Sequence, residues 1–182
     1  MVFDIPSSVG IILLATTLFC VITDFVNGKI YNSVTFSIIG VGLLYHSFFA
    51  QGHGFQFSIL GVALGFALFF SFFALQAMGA GDVKLLMAIG ALTGWRFTLG
   101  VAILSFLAGG VISIFLLIKH ERFKKTLKSI GTLLWTMVVP EMKMQTPKIE
   151  DCLLSPFALP LFIGVVLQYF KFIDIVSLMW KF

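Results

Sequence analysis

The chain has 182 residues, 59% of them hydrophobic and 11% charged, with a net charge of +4 and a mean hydropathy of +1.08. A soluble domain carries about 25% charged residues and hides its apolar ones in a single core; here there is too little polar surface to cover one, so a water-soluble globule is excluded. At about 20 apolar residues per crossing, the length allows roughly five to seven membrane spans and predicts one membrane-embedded domain over residues 1–182.

Apolar runs fall at 8–26, 34–50, 57–78, 83–95, 97–118 and 153–170. In lipid every backbone N–H and C=O must be satisfied within its element, and the runs lack the alternation of barrel strands, so they are predicted helices. The fold class is therefore an all-α polytopic membrane protein with about six transmembrane helices, the fourth span short. The first run follows Met1-Val2-Phe3-Asp4-Ile5-Pro6, without Lys or Arg, and contains no small-residue cleavage site; it reads as a retained helix, not a signal peptide. Residues 119–151 form a basic cytoplasmic loop, within which 130–139 is apolar but too short to span and reads as an interfacial helix with Trp135 at headgroup depth.

Lys and Arg set the orientation. With the N-terminus outside, the inner side holds Lys29, Lys84, Lys119, Arg122, Lys124, Lys125, Lys128, Lys143 and Lys148, and the outer side Arg96, Lys171 and Lys181. Nine against three fits the positive-inside rule. The same clustering makes membrane lipid, rather than nucleic acid, the natural partner of the positive charge. Cys20 and Cys152 lie far apart in apolar surroundings and read as packing residues, and His46, His53 and His120 show no ligand spacing and read as interfacial or loop residues. No metal or cofactor is expected.

This topology brings two acids to one level. Asp24 closes the first span on the cytoplasmic side, and Asp82 falls in the short loop between the third and fourth spans, on the same side. Glu121, Glu141, Glu150 and Asp151 belong to the basic loop, and Asp4 and Asp174 to the outer side. A carboxylate at a membrane helix end is costly enough to mark a functional site, a solvated or salt-bridged helix terminus being the plain alternative. Asp82 stands in Gly79-Ala80-Gly81-Asp82, where two glycines let another chain approach the carboxylate. The same residues would also serve a tight turn whose Asp caps the fourth helix.

The stretch Asp24-Phe25-Val26-Asn27-Gly28-Lys29-Ile30-Tyr31-Asn32 resembles the first motif of the type IV prepilin peptidases, GxGD-type intramembrane aspartyl proteases, with Tyr31 where Pro is usual. Gly79-Ala80-Gly81-Asp82-Val83-Lys84-Leu85-Leu86, followed by Gly90 and Gly94, is similar to the second signature, and Ser155-Pro156-Phe157-Ala158-Leu159-Pro160 loosely resembles a Pro-containing segment before the final helices. With the six-span hydropathy the likeness covers most of the chain. It implies a peptidase of the prokaryotic cytoplasmic membrane that cleaves a short basic leader from prepilin or pseudopilin precursors of pilus and type II secretion systems. Asp24 and Asp82 would be catalytic, with Gly79, Gly81, Lys84 and Asn32 in the active-site loops. Larger members carry a cytoplasmic insertion with a four-cysteine zinc motif associated with N-methylation; its absence from this sequence implies the short form, which cleaves without methylating.

Two carboxylates within a few Å cannot both ionise cheaply, so one keeps its proton while the other acts as base toward water. Their 58-residue separation requires the first span to pack against the junction of the third and fourth. Gly61, Gly65, Gly109 and Gly110 would permit close helix approach, or serve ordinary membrane packing. Lys84 would hold a substrate carbonyl, bias the acid pair, or simply snorkel to the headgroups. Glu150 and Asp151 would attract a basic leader or sit at a helix N-terminus for the dipole's sake. The alternative function is a small transporter or assembly subunit using Asp24 and Asp82 to bind ions, although transport sites favour the bilayer midplane. Oligomeric state is left open.

Overall fold

The computed structural model describes residues 6–49, 54–75, 78–119 and 157–170. The basic loop, with Glu121, Trp135, Glu141, Glu150, Asp151 and Cys152, lies outside the described residues, as do Asp4, His53, His120, Ser155, Pro156 and Asp174. The elements are α1 (Ser7–Asn27), α2 (Asn32–Phe49), α3 (Gly54–Ala74), α4 (Ala80–Lys119) and α5 (Ala158–Tyr169). Among the described residues three helices can cross a membrane by length and composition, over Ser8–Asn27, Gly54–Ala74 and Ala80–Leu116, and Ala158–Tyr169 is a shorter apolar helix.

The chain divides into two compact units, Met1–Gly109 with Pro156–Phe182, and Gly110–Ser155. The described part of the second is the last stretch of α4, with Val111, Ile114, Phe115 and Ile118 exposed. The first unit has its core in Leu13, Cys20, Phe69, Leu85, Leu86, Ile89, Val101, Leu161 and Val165. Cys20 is thus a packing residue, as the sequence suggests. The buried hydroxyls of Thr17 and Ser105 turn back to their own helix, Thr17 donating to the Leu13 carbonyl (2.8 Å) and Ser105 to that of Val101 (2.6 Å), so neither donor is stranded in apolar surroundings.

Helix α4 is one run of 40 residues, about 60 Å at 1.5 Å per residue and twice the hydrocarbon thickness of a bilayer. It is broken at Gly94 (φ 72°, ψ 176°), a conformation L side chains rarely adopt. A Cβ there would also collide with the Phe57 ring. Before the break α4 climbs α3 in the antiparallel sense, Leu86 against Gly65 and Gly90 against Gly61. After it the chain doubles back, because the Phe106 ring meets Phe69 of α3 edge-on and Phe72 at a tilt, with ring separations of 5.2 and 4.6 Å. The sequence reading separates a short fourth run from a fifth; the break at Gly94 is where they part.

At the α3–α4 crossing a Cβ on Gly61 would strike the Gly90 carbonyl, and one on Gly90 the Gly61 carbonyl, so the backbone of each leaves room only for glycine at the other. Of the other small residues, Gly65 packs on Leu86 and Gly109 on Phe157, whereas no described atom lies within 4 Å of a Cβ built at Gly110. His46, expected in a loop or at the interface, is half-buried in α2, its Nε2 2.9 Å from the Leu92 carbonyl. Ser58 donates to the Ala91 carbonyl at 2.6 Å. The ordinary helical partners of both carbonyls lie across the Gly94 break, so α2 and α3 supply polar contacts where α4 is interrupted.

Helices α1 and α5 pack together in opposite directions, Gly10 facing Tyr169 at one end and Asp24 meeting Ala158 at the other. Helix α4 returns beside α5 with Gly100 against Gln168 and Gly109 against Phe157. The end of α1, the start of α5 and the start of α4 therefore share one end of the first unit, and the Gly94 break lies toward the other.

Candidate active site

Asp24 occupies the last turn of α1, which stops at Gly28: this residue takes the left-handed conformation (φ 61°, ψ 22°) and donates its N–H to the Asp24 carbonyl at 2.9 Å. The cap frees the chain to turn within four residues before α2 begins. Tyr31, where the resembled family has Pro, starts α2 by accepting at its carbonyl the N–H groups of Val34 (3.2 Å) and Thr35 (3.3 Å). Its phenol oxygen accepts Asn27 Nδ2 at 3.3 Å, so Tyr31 closes the turn with its side chain as well as its backbone.

Asp82 is not in a loop, as the sequence reading expects, but in the first turn of α4. Gly79 precedes the helix, and Asp82 donates its N–H to the Gly79 carbonyl at 3.2 Å while its carboxylate accepts the Gly79 N–H. This is one half of a capping box, the acid at the third helical position reaching back to the N-cap amide while a glycine N-cap returns no side-chain bond, and it explains why the helix starts three residues early: the acid satisfies an amide that the helix end leaves open. Asp82 is only 7% exposed, with Val83, Leu85 and Leu86 buried beside it.

The two acids meet. Asp24, half-buried, lies within electrostatic reach of Asp82 although 58 residues separate them. The Asp24 carboxylate also accepts the backbone N–H of Ala158, the first residue of α5. A helix N-terminus is a natural seat for a carboxylate, and here the carboxylate comes from another helix. Ala158, within the loosely matched segment, thereby acquires a physical role that its sequence alone does not reveal.

The remaining expected site residues lie around this pair. A Cβ at Gly81 would come within 3.0 Å of Ile30 Cβ, so the second motif's inner glycine makes room for a residue of the first. Gly79 lies 3.3 Å, by the same measure, from Asp82 Oδ2. Lys84 Nζ donates to Asn32 Oδ1 at 2.8 Å and sits 5.5 Å from the Phe36 ring centroid. Ile30, Gly28 and Ala158 are the participants that reasoning from sequence does not single out; only for Gly28, a glycine directly after a helical run, is there a local signal.

A model of the type IV leader peptidase family matches residues 11–114, more than half of the chain and both acid-bearing segments. This chain belongs to that family. It is accordingly a protease of the leader-peptidase type, and its long apolar helices mark it as a membrane protein. The family match takes in α1 through most of α4, while the α5 amide that meets Asp24 lies beyond it. No curated protein and no solved structure matches the chain.

Proposed function

We propose that this leader peptidase is an intramembrane aspartyl endopeptidase that removes the short basic leader of type IV prepilin-like precursors at the cytoplasmic face of a prokaryotic inner membrane, using Asp24 and Asp82 as a water-activating pair. The observation that carries the reading is the approach of these two carboxyls across 58 residues of sequence, at one end of the apolar helices. One carboxylate takes a proton from a water as its oxygen bonds to the scissile carbonyl carbon. The other, protonated, donates to the carbonyl oxygen; collapse of the tetrahedral intermediate breaks the C–N bond, and a proton passes to the leaving amine. No covalent enzyme intermediate and no cofactor enters this scheme.

Counting α4 as two spans about Gly94 gives six crossings with the N-terminus outside, which puts both acids on the side rich in Lys and Arg. The precursor's basic leader would remain there while its apolar helix lies in the bilayer. With no four-cysteine motif in its sequence, the enzyme cleaves and leaves the new N-terminus unmethylated. The test incubates the purified protein with prepilins and pseudopilins of the same genome and maps the product N-terminus by mass spectrometry. Cleavage at the leader boundary, lost in Asp24→Asn and in Asp82→Asn at unchanged membrane abundance, is expected. Near-normal cleavage by either variant would sink the pair, and cleavage remote from the leader boundary would overturn the substrate.

A further inference from the structure

The four-residue turn 28–31 links α1, which bears Asp24, to α2, and α4 touches this connection at two points, one in the turn and one on the first residue of α2. Gly81 leaves space for Ile30, and three residues later Lys84 donates its ammonium to Asn32 Oδ1 at 2.8 Å. Both contacts come from the turn of α4 that bears Asp82. Asn32 is the first residue of α2, directly after Tyr31, whose phenol accepts Asn27 at the end of α1. Two side-chain contacts joined by the Tyr31–Asn32 peptide link thus run from Lys84 to the helix end that holds Asp24. A hydrogen bond from an ammonium is stronger than one between neutral groups, and the Phe36 ring beside the same ammonium adds a cation–π contact.

We propose that Lys84 is a positioning residue: by holding Asn32 it ties the α1–α2 turn to the first turn of α4 and so sets the distance and orientation between Asp24 and Asp82, rather than binding the substrate. The proposal rests on the aspartyl-peptidase reading for its kinetic consequence but not for the tie itself. Misplacing reacting groups by about 1 Å costs on the order of a hundredfold in rate, so a loosened tie lowers kcat and leaves KM nearly unchanged.

The experiment measures prepilin cleavage by purified Lys84→Met, Asn32→Leu, the double variant and Lys84→Arg. Alongside it, mass spectrometry follows the rate at which trypsin cuts after the exposed Lys29 in the turn. Lys84→Met and Asn32→Leu are each expected to lower kcat on the order of tenfold to a hundredfold with KM within about twofold. The double variant should be no slower than the slower single one, Lys84→Arg should recover most of the lost rate, and the cut after Lys29 should accelerate severalfold in the two single variants. A raised KM with kcat retained would show a substrate contact and overturn the proposal. So would multiplying losses in the double variant, or a fall in kcat with no change in the tryptic cut. If the wild-type protein processes no prepilin, the peptidase reading falls, and the tryptic rates alone decide whether Lys84 holds the turn.

Discussion

The two ends of the first unit use polar residues differently. Where α1 stops and α4 and α5 begin, two carboxylates lie within electrostatic reach of each other and accept backbone amides, and Lys84 reaches Asn32 52 residues away. Toward the Gly94 break, His46 and Ser58 reach carbonyls of α4 whose usual helical partners lie across the interruption. The first arrangement gathers charged groups where the proposed chemistry would use them; the second compensates a break in a helix that the chain needs in order to reverse. In an apolar environment each polar side chain must have a partner, and the partner distinguishes a site from a support.

Substitutions at the two ends should therefore separate activity from stability. The largest effect belongs to Asp82→Asn, expected to lower cleavage on the order of a thousandfold or more, with thermal unfolding in detergent close to wild type. A variant that unfolds in proportion to its lost activity would move Asp82 to the supporting class. Next comes Gly90→Leu at the reciprocal glycine crossing, where a side chain meets the Gly61 carbonyl; about 3 kcal/mol of stability should be lost, at the upper end of overpacking effects. Unchanged Tm would show that α3 and α4 can part without cost.

Ser58→Ala leaves the Ala91 carbonyl without its hydroxyl donor and is expected to cost about 1–2 kcal/mol, with cleavage per folded molecule unaltered. A drop in kcat at constant stability would instead link the Gly94 end to the acids. The smallest effect is expected for Gly28→Ala, where a Cβ must enter the left-handed region at a cost of about 1 kcal/mol. Because this cap ends the helix bearing Asp24, a modest fall in kcat should accompany the loss of Tm, unlike in Ser58→Ala. Equal behaviour of the two variants would erase the contrast between the ends.

Much of this architecture was legible because lipid leaves the backbone few options. Apolar runs without alternation must be helices, and the first acid falls where a run ends. Boundaries at helix starts were less legible. Asp82 was expected in a loop, since the hydropathy of 79–82 is that of a turn; its carboxylate nevertheless caps Gly79 and draws the helix back to Ala80. Lys84 admits three readings because a lysine near a membrane helix end has several satisfactory fates, and its contact with Asn32 is a partner that none of the three names.

What the sequence by itself determined is the membrane class, the helical elements and the two acid-bearing motifs, all properties of composition and short spacing. Tertiary structure decided what those motifs touch. Ile30 fills the space Gly81 leaves, Phe57 occupies the place of a Cβ at Gly94, and an amide 134 residues away along the chain meets Asp24. The physical reason is that such contacts depend on how helices cross, and a crossing is chosen by the packing of several helices at once, which no local run of residues encodes.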